Sequence, residues 1–206
     1  MARVLVLFAH PAFEQSRVHS TLLGALPDSP DVTLHDLYEA YPRLDIDVKR
    51  EQTLLSEHDA IVFQHPFYWY STPPILKQWQ DLVLEHGWAY GSEGTALRGK
   101  TFLSVISAGG GESAYGTSGH NRFSVRELLA PVEQTATLCG MRFLPPFVVF
   151  GTRSLTPDDR SVEAERYRTL IEALVAGEPD QAERARLQDA NTVNDFVTRL
   201  VQKTGL

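Results

Sequence analysis

The run Val4-Leu-Val-Leu-Phe-Ala9 is apolar at every position and stops abruptly at His10-Pro11. A strand with one wet face alternates apolar and polar residues. A run without alternation belongs to a strand buried on both faces, as in a parallel sheet. Ala60-Ile-Val-Phe-Gln-His65, closed at once by Pro66, reads as the third strand, and Lys100 to Ala108, followed by three glycines, as the fourth. Val32 to His35 reads as a short second strand. Phe143 to Phe150 reads as the fifth, its regular part beginning at Phe147 because Pro145 and Pro146 cannot donate to a ladder.

Helices are predicted between these strands. Ser16 caps one that Pro27 ends, and Val48 to His58, Ile75 to Glu85, Val125 to Leu138 and Thr156 to Ala176 supply the others, with Pro131 a kink or break. Strands alternating with helices predict an α/β fold, a doubly wound sheet with right-handed crossovers.

The 206 residues suffice for one domain. Residues 1–177 are expected to form it. Residues 178–206 form a helical extension whose Leu187, Val193, Phe196, Val197, Leu200 and Val201 fall on one stripe, packed on the body or on a second subunit. A net charge of −7 without any basic run argues against a nucleic-acid partner. Val4 to Ala9 is too short to span a bilayer, so a cytoplasmic location is the default. The single cysteine, Cys139, excludes an internal disulfide, and its apolar neighbours predict burial.

In an open α/β sheet, ligands bind beyond the carboxyl ends of the strands. Three loops stand there. The first runs from His10 to His19 into a helix N-terminus, where unpaired N–H groups and the helix dipole favour an anion. Ser16 offers a hydroxyl and Arg17 a charge, although Ser16 as a plain helix cap explains that loop equally well. The second, His65-Pro-Phe67-Tyr68-Trp69-Tyr70, holds four consecutive aromatics, more than a core needs, and marks a flat apolar ligand or a subunit contact. The third, Ser107-Ala108-Gly109-Gly110-Gly111, lets a ligand approach the backbone closely, and Tyr115 and His120 follow on it as candidate proton donors and acceptors. A lone loop histidine is more often merely solvated.

Other chemistries fit less well. Neither GxxxxGK[ST] nor GxGxxG occurs, and no GxSxG elbow supports a hydrolase built on Ser16. His10 and His65 both end strands, but no partner has ligand spacing, so no metal site is expected.

An anion cradle, an aromatic wall and a glycine rim are what a flavin needs. At these residues the sequence resembles the flavodoxin-like NAD(P)H:quinone oxidoreductases, most of all the ancillary flavoproteins of glutathione-regulated potassium-efflux systems. The segments that carry the likeness are FAHP with Ser16, DLYEAYP, VFQHPFYWYSTPPILKQWQDLVLEHGWAYG, GTALRGK, ISAGGGESAY, LLAPVEQTATLCGM and LPPFVVFG.

The resemblance implies a sheet of order 2-1-3-4-5, a bound FMN with FAD as the alternative, and NAD(P)H as cosubstrate. It implies hydride transfer through the flavin to a quinone-like acceptor. The alternative is a regulatory subunit that activates a potassium-efflux transporter, held at the inner face of the membrane by that partner. It also implies a homodimer. Carried over by position, His10, Ser16, Arg17, Val18 and His19 hold the flavin phosphate and ribityl tail. Phe67, Tyr68, Trp69 and Tyr70 line the isoalloxazine. Ser107, Ala108, Gly109 and Gly110 bond its edge, and Tyr115 and His120 stand over the reacting face. The stretch from Glu178 to Leu206 extends beyond the ancillary proteins.

Overall fold

The computed structural model describes residues 1–204. β1 (Val4–Phe8) lies between β2 (Val32–Asp36) and β3 (Ala60–Pro66), and β4 (Thr101–Ser107) follows β3, all parallel. The last position is shared by β5 (Arg142–Phe143) and β6 (Phe147–Val149), both parallel to β4. The order is therefore 2-1-3-4-5, with β6 an additional strand beyond the path. The expected single fifth strand is two, because Leu144-Pro145-Pro146 interrupts it and proline has no N–H for the ladder.

The helices are α1 (Arg17–Gly24), α2 (Leu37–Ala40), α3 (Val48–Glu57), α4 (Pro74–Val83), α5 (Val125–Leu128), α6 (Ala130–Leu138), α7 (Pro157–Val175), α8 (Gln181–Leu187) and α9 (Asn194–Thr204). The break between α5 and α6 falls at Leu129, so that Pro131 sits in the first turn of α6, where its missing N–H costs nothing.

Alternation along each strand explains the two layers. Leu5 and Leu7 of β1 face one core, with Ile61, Phe63, Phe102 and Ile106 beside them and α2 to α6 closing it. Val4 and Val6 face the other, closed by α1, α7, α8 and α9. Cys139 is buried at the end of α6, and burial raises its thiol pKa.

One carboxylate sits wholly inside the first core. Glu51 receives hydrogen bonds from the Tyr41 hydroxyl (2.5 Å) and Trp79 Nε1 (2.8 Å), and pairs with His35 Nε2 (2.8 Å). Burial alone raises a carboxyl pKa. Here hydrogen bonds from His35, Tyr41 and Trp79 outweigh it and hold Glu51 below its ordinary value.

The C-terminal segment is two helices rather than one. Leu187, Val193, Phe196 and Val197 are buried in the same core as Tyr167 and Val149, so the segment packs on the sheet's own helical layer. Asn194 adds a polar contact. Its Oδ1 accepts the Val148 N–H (3.0 Å) and its Nδ2 donates to the Val148 carbonyl (2.8 Å) on the outer side of β6.

Candidate functional site

The carboxyl ends of β1, β3, β4 and β6 open together onto one cleft of about 1090 Å³. β1 delivers His10, which is buried; a short 3₁₀ turn (Phe13–Gln15) then leads to Ser16, the N-cap of α1. Ser16 Oγ accepts the His19 N–H (3.1 Å). The N–H groups of Arg17 and Val18, at the first two helical positions, have no partner among the described residues and lie at the cleft wall. Ser16 is thus both a cap and a cleft residue. His10 Nδ1 accepts the Ala12 N–H (3.2 Å), and burial, opposed by Glu14, lowers its pKa, so the ring is neutral with its hydrogen on Nε2.

β3 delivers the aromatics. Phe67 is buried, while Tyr68 and Tyr70 are about half exposed and Trp69 is 93% exposed. Trp69 and Tyr70 both have positive φ (49° and 63°), and Ser71 N–H returns to the Tyr68 carbonyl at 3.1 Å. Two successive left-handed residues make a tight turn that glycine or asparagine would ordinarily supply. Side chains with a Cβ are strained there, and such strain is typical of ligand clamps. The turn carries Trp69 out to the rim.

β4 delivers Ser107 and the glycines. The N–H groups of Gly109 and Gly110 have no partner among the described residues. A Cβ built on Gly109 would lie 3.5 Å from Arg153 Nε, within the cleft lining, so the absent side chain leaves that space to a guest. Tyr115 packs between Phe67 and Phe150, with centroids at 6.4 and 5.7 Å. Burial, reinforced by Tyr70, raises its phenol pKa, so it is a neutral donor at neutral pH. His120 is exposed and lines the cleft, next to Asn121, whose Oδ1 accepts from Tyr70.

Two expected residues are not brought to the cleft. His19 is wholly buried; its N–H is taken by Ser16, and its ring bonds Ser107 from beneath (2.9 Å). It therefore has nothing to offer a phosphate or ribityl chain. Ala108 is also wholly buried, its N–H donating to Val149 and its carbonyl accepting from Thr152, so its backbone is unavailable to a ring edge. The remaining thirteen residues assigned by position all line the cleft.

A fourth loop escaped the sequence reading. The segment after β6 is laced to the glycine loop by Gly151 N–H to Gly110 carbonyl (2.9 Å) and Thr152 N–H to Ala108 carbonyl (3.1 Å), and brings Thr152, Arg153 and Arg160 to the wall. The rule that the loops follow the strand ends applied equally to this strand. His65 of β3 is wholly buried and does not line the cleft; burial pushes its pKa down to about 4, and its Nδ1 is bonded to the Pro66 carbonyl.

The donors fit a flavin mononucleotide. Unpaired N–H groups and Arg17 stand at one wall for a phosphate, aromatic rings stand between, and free glycine N–H groups meet a polar ring edge. No cluster of three or more His, Cys, Asp or Glu that could hold a metal occurs among the described residues.

Fold and cleft together define an open α/β protein that binds a flat, anionic ligand across its strand ends. The chain belongs to the family with the flavodoxin-like fold, Flavodoxin_2, whose pattern matches residues 2–172. It is 47% identical over 171 residues to the uncharacterized NAD(P)H oxidoreductase YrkL of Bacillus subtilis, covering 83% of this chain and 98% of that one. It is 46% identical to the glutathione-regulated potassium-efflux system ancillary protein KefG of Pectobacterium carotovorum, covering 80% and 90%. Among solved structures, general stress protein 14 of Treponema denticola in complex with FMN superimposes with a TM-score of 0.76 at 39% identity, covering 85% and 98%. An NADPH-quinone reductase from P. pentosaceus does so with 0.74 at 32%, covering 82% and 96%.

Proposed function

We propose that this chain is an FMN-dependent NAD(P)H:quinone oxidoreductase. One observation carries the reading: a single cleft joins the open N-terminus of α1 to the free N–H groups of Gly109 and Gly110 across an aromatic turn. The FMN complex of the Treponema relative and the quinone reductase of P. pentosaceus support it. FMN held there would supply two-electron carrier chemistry between NAD(P)H and the acceptor. The protein supplies the rest. Arg17 and the first N–H groups of α1 hold the phosphate. Phe67, Tyr68 and Tyr70 flank the ring, and Gly109 and Gly110 bond its edge. Tyr115 and His120 exchange protons at the reacting face.

The exposed Trp69 at the rim and the exposed Phe123 give a second copy apolar side chains to cover, and a homodimer is part of the proposal. No helix among the described residues is long and apolar enough to cross a membrane, and we place the enzyme in the cytoplasm. The likeness to KefG favours a second reading, a regulatory subunit docked on a potassium-efflux transporter.

The test is to denature the purified protein, weigh the released small molecule, and follow NADH- and NADPH-driven reduction of a benzoquinone. FMN in the supernatant and bleaching of the flavin by either nucleotide are expected. Protein that binds neither FMN nor FAD sinks the proposal. Retention by transporter-bearing membranes with no quinone turnover selects the regulatory reading.

A further inference from the structure

Beneath the cleft, four elements each contribute one side chain to a buried polar line. The Tyr167 hydroxyl of α7 lies 2.6 Å from Gln64 Oε1 of β3. Gln64 Nε2 faces His19 Nδ1 of α1 at 3.4 Å, and His19 Nε2 faces Ser107 Oγ of β4 at 2.9 Å. Tyr167, Gln64 and His19 are wholly buried, while Ser107 opens to the cleft.

Such a line can point either way, and all its members must point together. A phenol has one hydrogen. The Tyr167 hydroxyl has no partner but Gln64 among the described residues and no access to water. If Gln64 were turned to donate to Tyr167, that phenolic hydrogen would be stranded in the core, a state buried donors rarely occupy. Tyr167 therefore donates to Gln64 Oε1, and the Gln64 amide nitrogen must donate to His19 Nδ1. Burial, with His10 and His65 nearby, lowers the His19 pKa well below its ordinary value, so the ring carries a single hydrogen. With Nδ1 accepting, that hydrogen is on Nε2 and goes to Ser107 Oγ. The Ser107 hydroxyl hydrogen then has no acceptor among the described residues and is left for the cleft.

We propose that Tyr167, Gln64 and His19 are positioning residues that force Ser107 to donate into the cleft, so that its occupant must set an acceptor, a carbonyl oxygen or bare ring nitrogen, against it. The direction of the line rests on the protein alone. Its consequence for redox chemistry rests on the flavin reading: a fixed donor at the ring edge favours the more negative, reduced form of the ring.

The test begins with nitrogen-15 NMR of histidine-labelled protein freed of cofactor. His19 is expected as the Nε2–H tautomer with a bare Nδ1, and a directly bonded hydrogen on Nδ1 overturns the proposal. This result does not depend on any flavin, so its failure is separable from that of the functional reading. Titration with FMN follows. Ser107→Ala is expected to weaken FMN binding about tenfold. Tyr167→Phe keeps the ring in the core but frees the line to reverse, so His19 should show both tautomers and the Ser107→Ala penalty should shrink to about threefold in that background. An undiminished penalty, or an unchanged tautomer in Tyr167→Phe, means that Tyr167 does not set the direction.

Discussion

The Tyr70 hydroxyl donates to Asn121 Oδ1 at 3.1 Å and ties the strained aromatic turn after β3 to the tip of the glycine-rich loop after β4. The two loops also meet where Tyr115 packs on Phe67 and where the Phe67 N–H donates to the Ser107 carbonyl (2.9 Å). Asn121→Ala is expected to raise the KM for NAD(P)H about threefold to tenfold while leaving the thermal midpoint nearly unchanged, since one exposed hydrogen bond adds little to stability. Steady-state kinetics beside a melting curve would expose a purely structural role.

Gly109 and Gly111 offer a matched pair. A Cβ on Gly109 points into cleft space beside Arg153, whereas one on Gly111 meets nothing within 4 Å. Gly109→Val should yield folded protein without flavin, and Gly111→Val should keep it. The ratio of flavin absorbance to protein absorbance reads both. Full flavin occupancy in Gly109→Val would place the ring elsewhere.

Arg17 at the start of α1 tests the phosphate end. FMN and riboflavin share the ring, and only FMN carries the anion. Arg17→Gln is expected to weaken FMN binding about fivefold and to leave riboflavin binding unchanged. Equal losses for both ligands contradict a phosphate at this helix.

Tyr115 and His120 both line the cleft from the same loop, the first half-buried and the second exposed. The pair Tyr115→Phe, His120→Gln should retain FMN yet slow flavin reduction or reoxidation about 100-fold, the size of a proton-transfer contribution. Stopped-flow traces that match wild type in both half-reactions remove these residues from the chemistry.

Glu51 predicts a pH effect on stability. Its folded pKa lies below the ordinary 4.5, so its contribution is complete above the unfolded value and is lost as the pH falls through the folded one. Glu51→Gln is expected to cost about 2 kcal/mol near neutrality. The gap from wild type should close in acid. Denaturant midpoints across the acid range check this, and a gap that is constant with pH contradicts a charged Glu51.

Much of this was legible in the order of residues, for physical reasons. A strand buried on both faces has to be apolar throughout, so Val4 to Ala9 and Ala60 to Phe63 announced themselves, and the catalogue of cleft loops followed from where those runs stop. What stayed hidden depends on direction. Nothing in the order of residues says that His19 turns inward under Ser107 while Arg17 turns outward. Trp69 and Tyr70 carry no glycine to betray their left-handed backbone. The strand from Phe147 was read correctly, but no glycine run, histidine or aromatic cluster in Gly151-Thr-Arg153 marked the loop after it as one that brings Arg153 to the same cleft. The C-terminal stripe was visible, but not the break after Leu187 that lets α9 reach β6.

That reach has a wider consequence. The outermost strand of an open sheet is a template on which a foreign strand can grow. By presenting both a donor and an acceptor to Val148, the amide of Asn194 imitates one residue of such a strand and closes the template from within. Self-association of this molecule is thereby steered away from strand addition along that border and toward its loops and helices. A chain cut short before α9 would be at risk of fibrous aggregation as well as of losing packing.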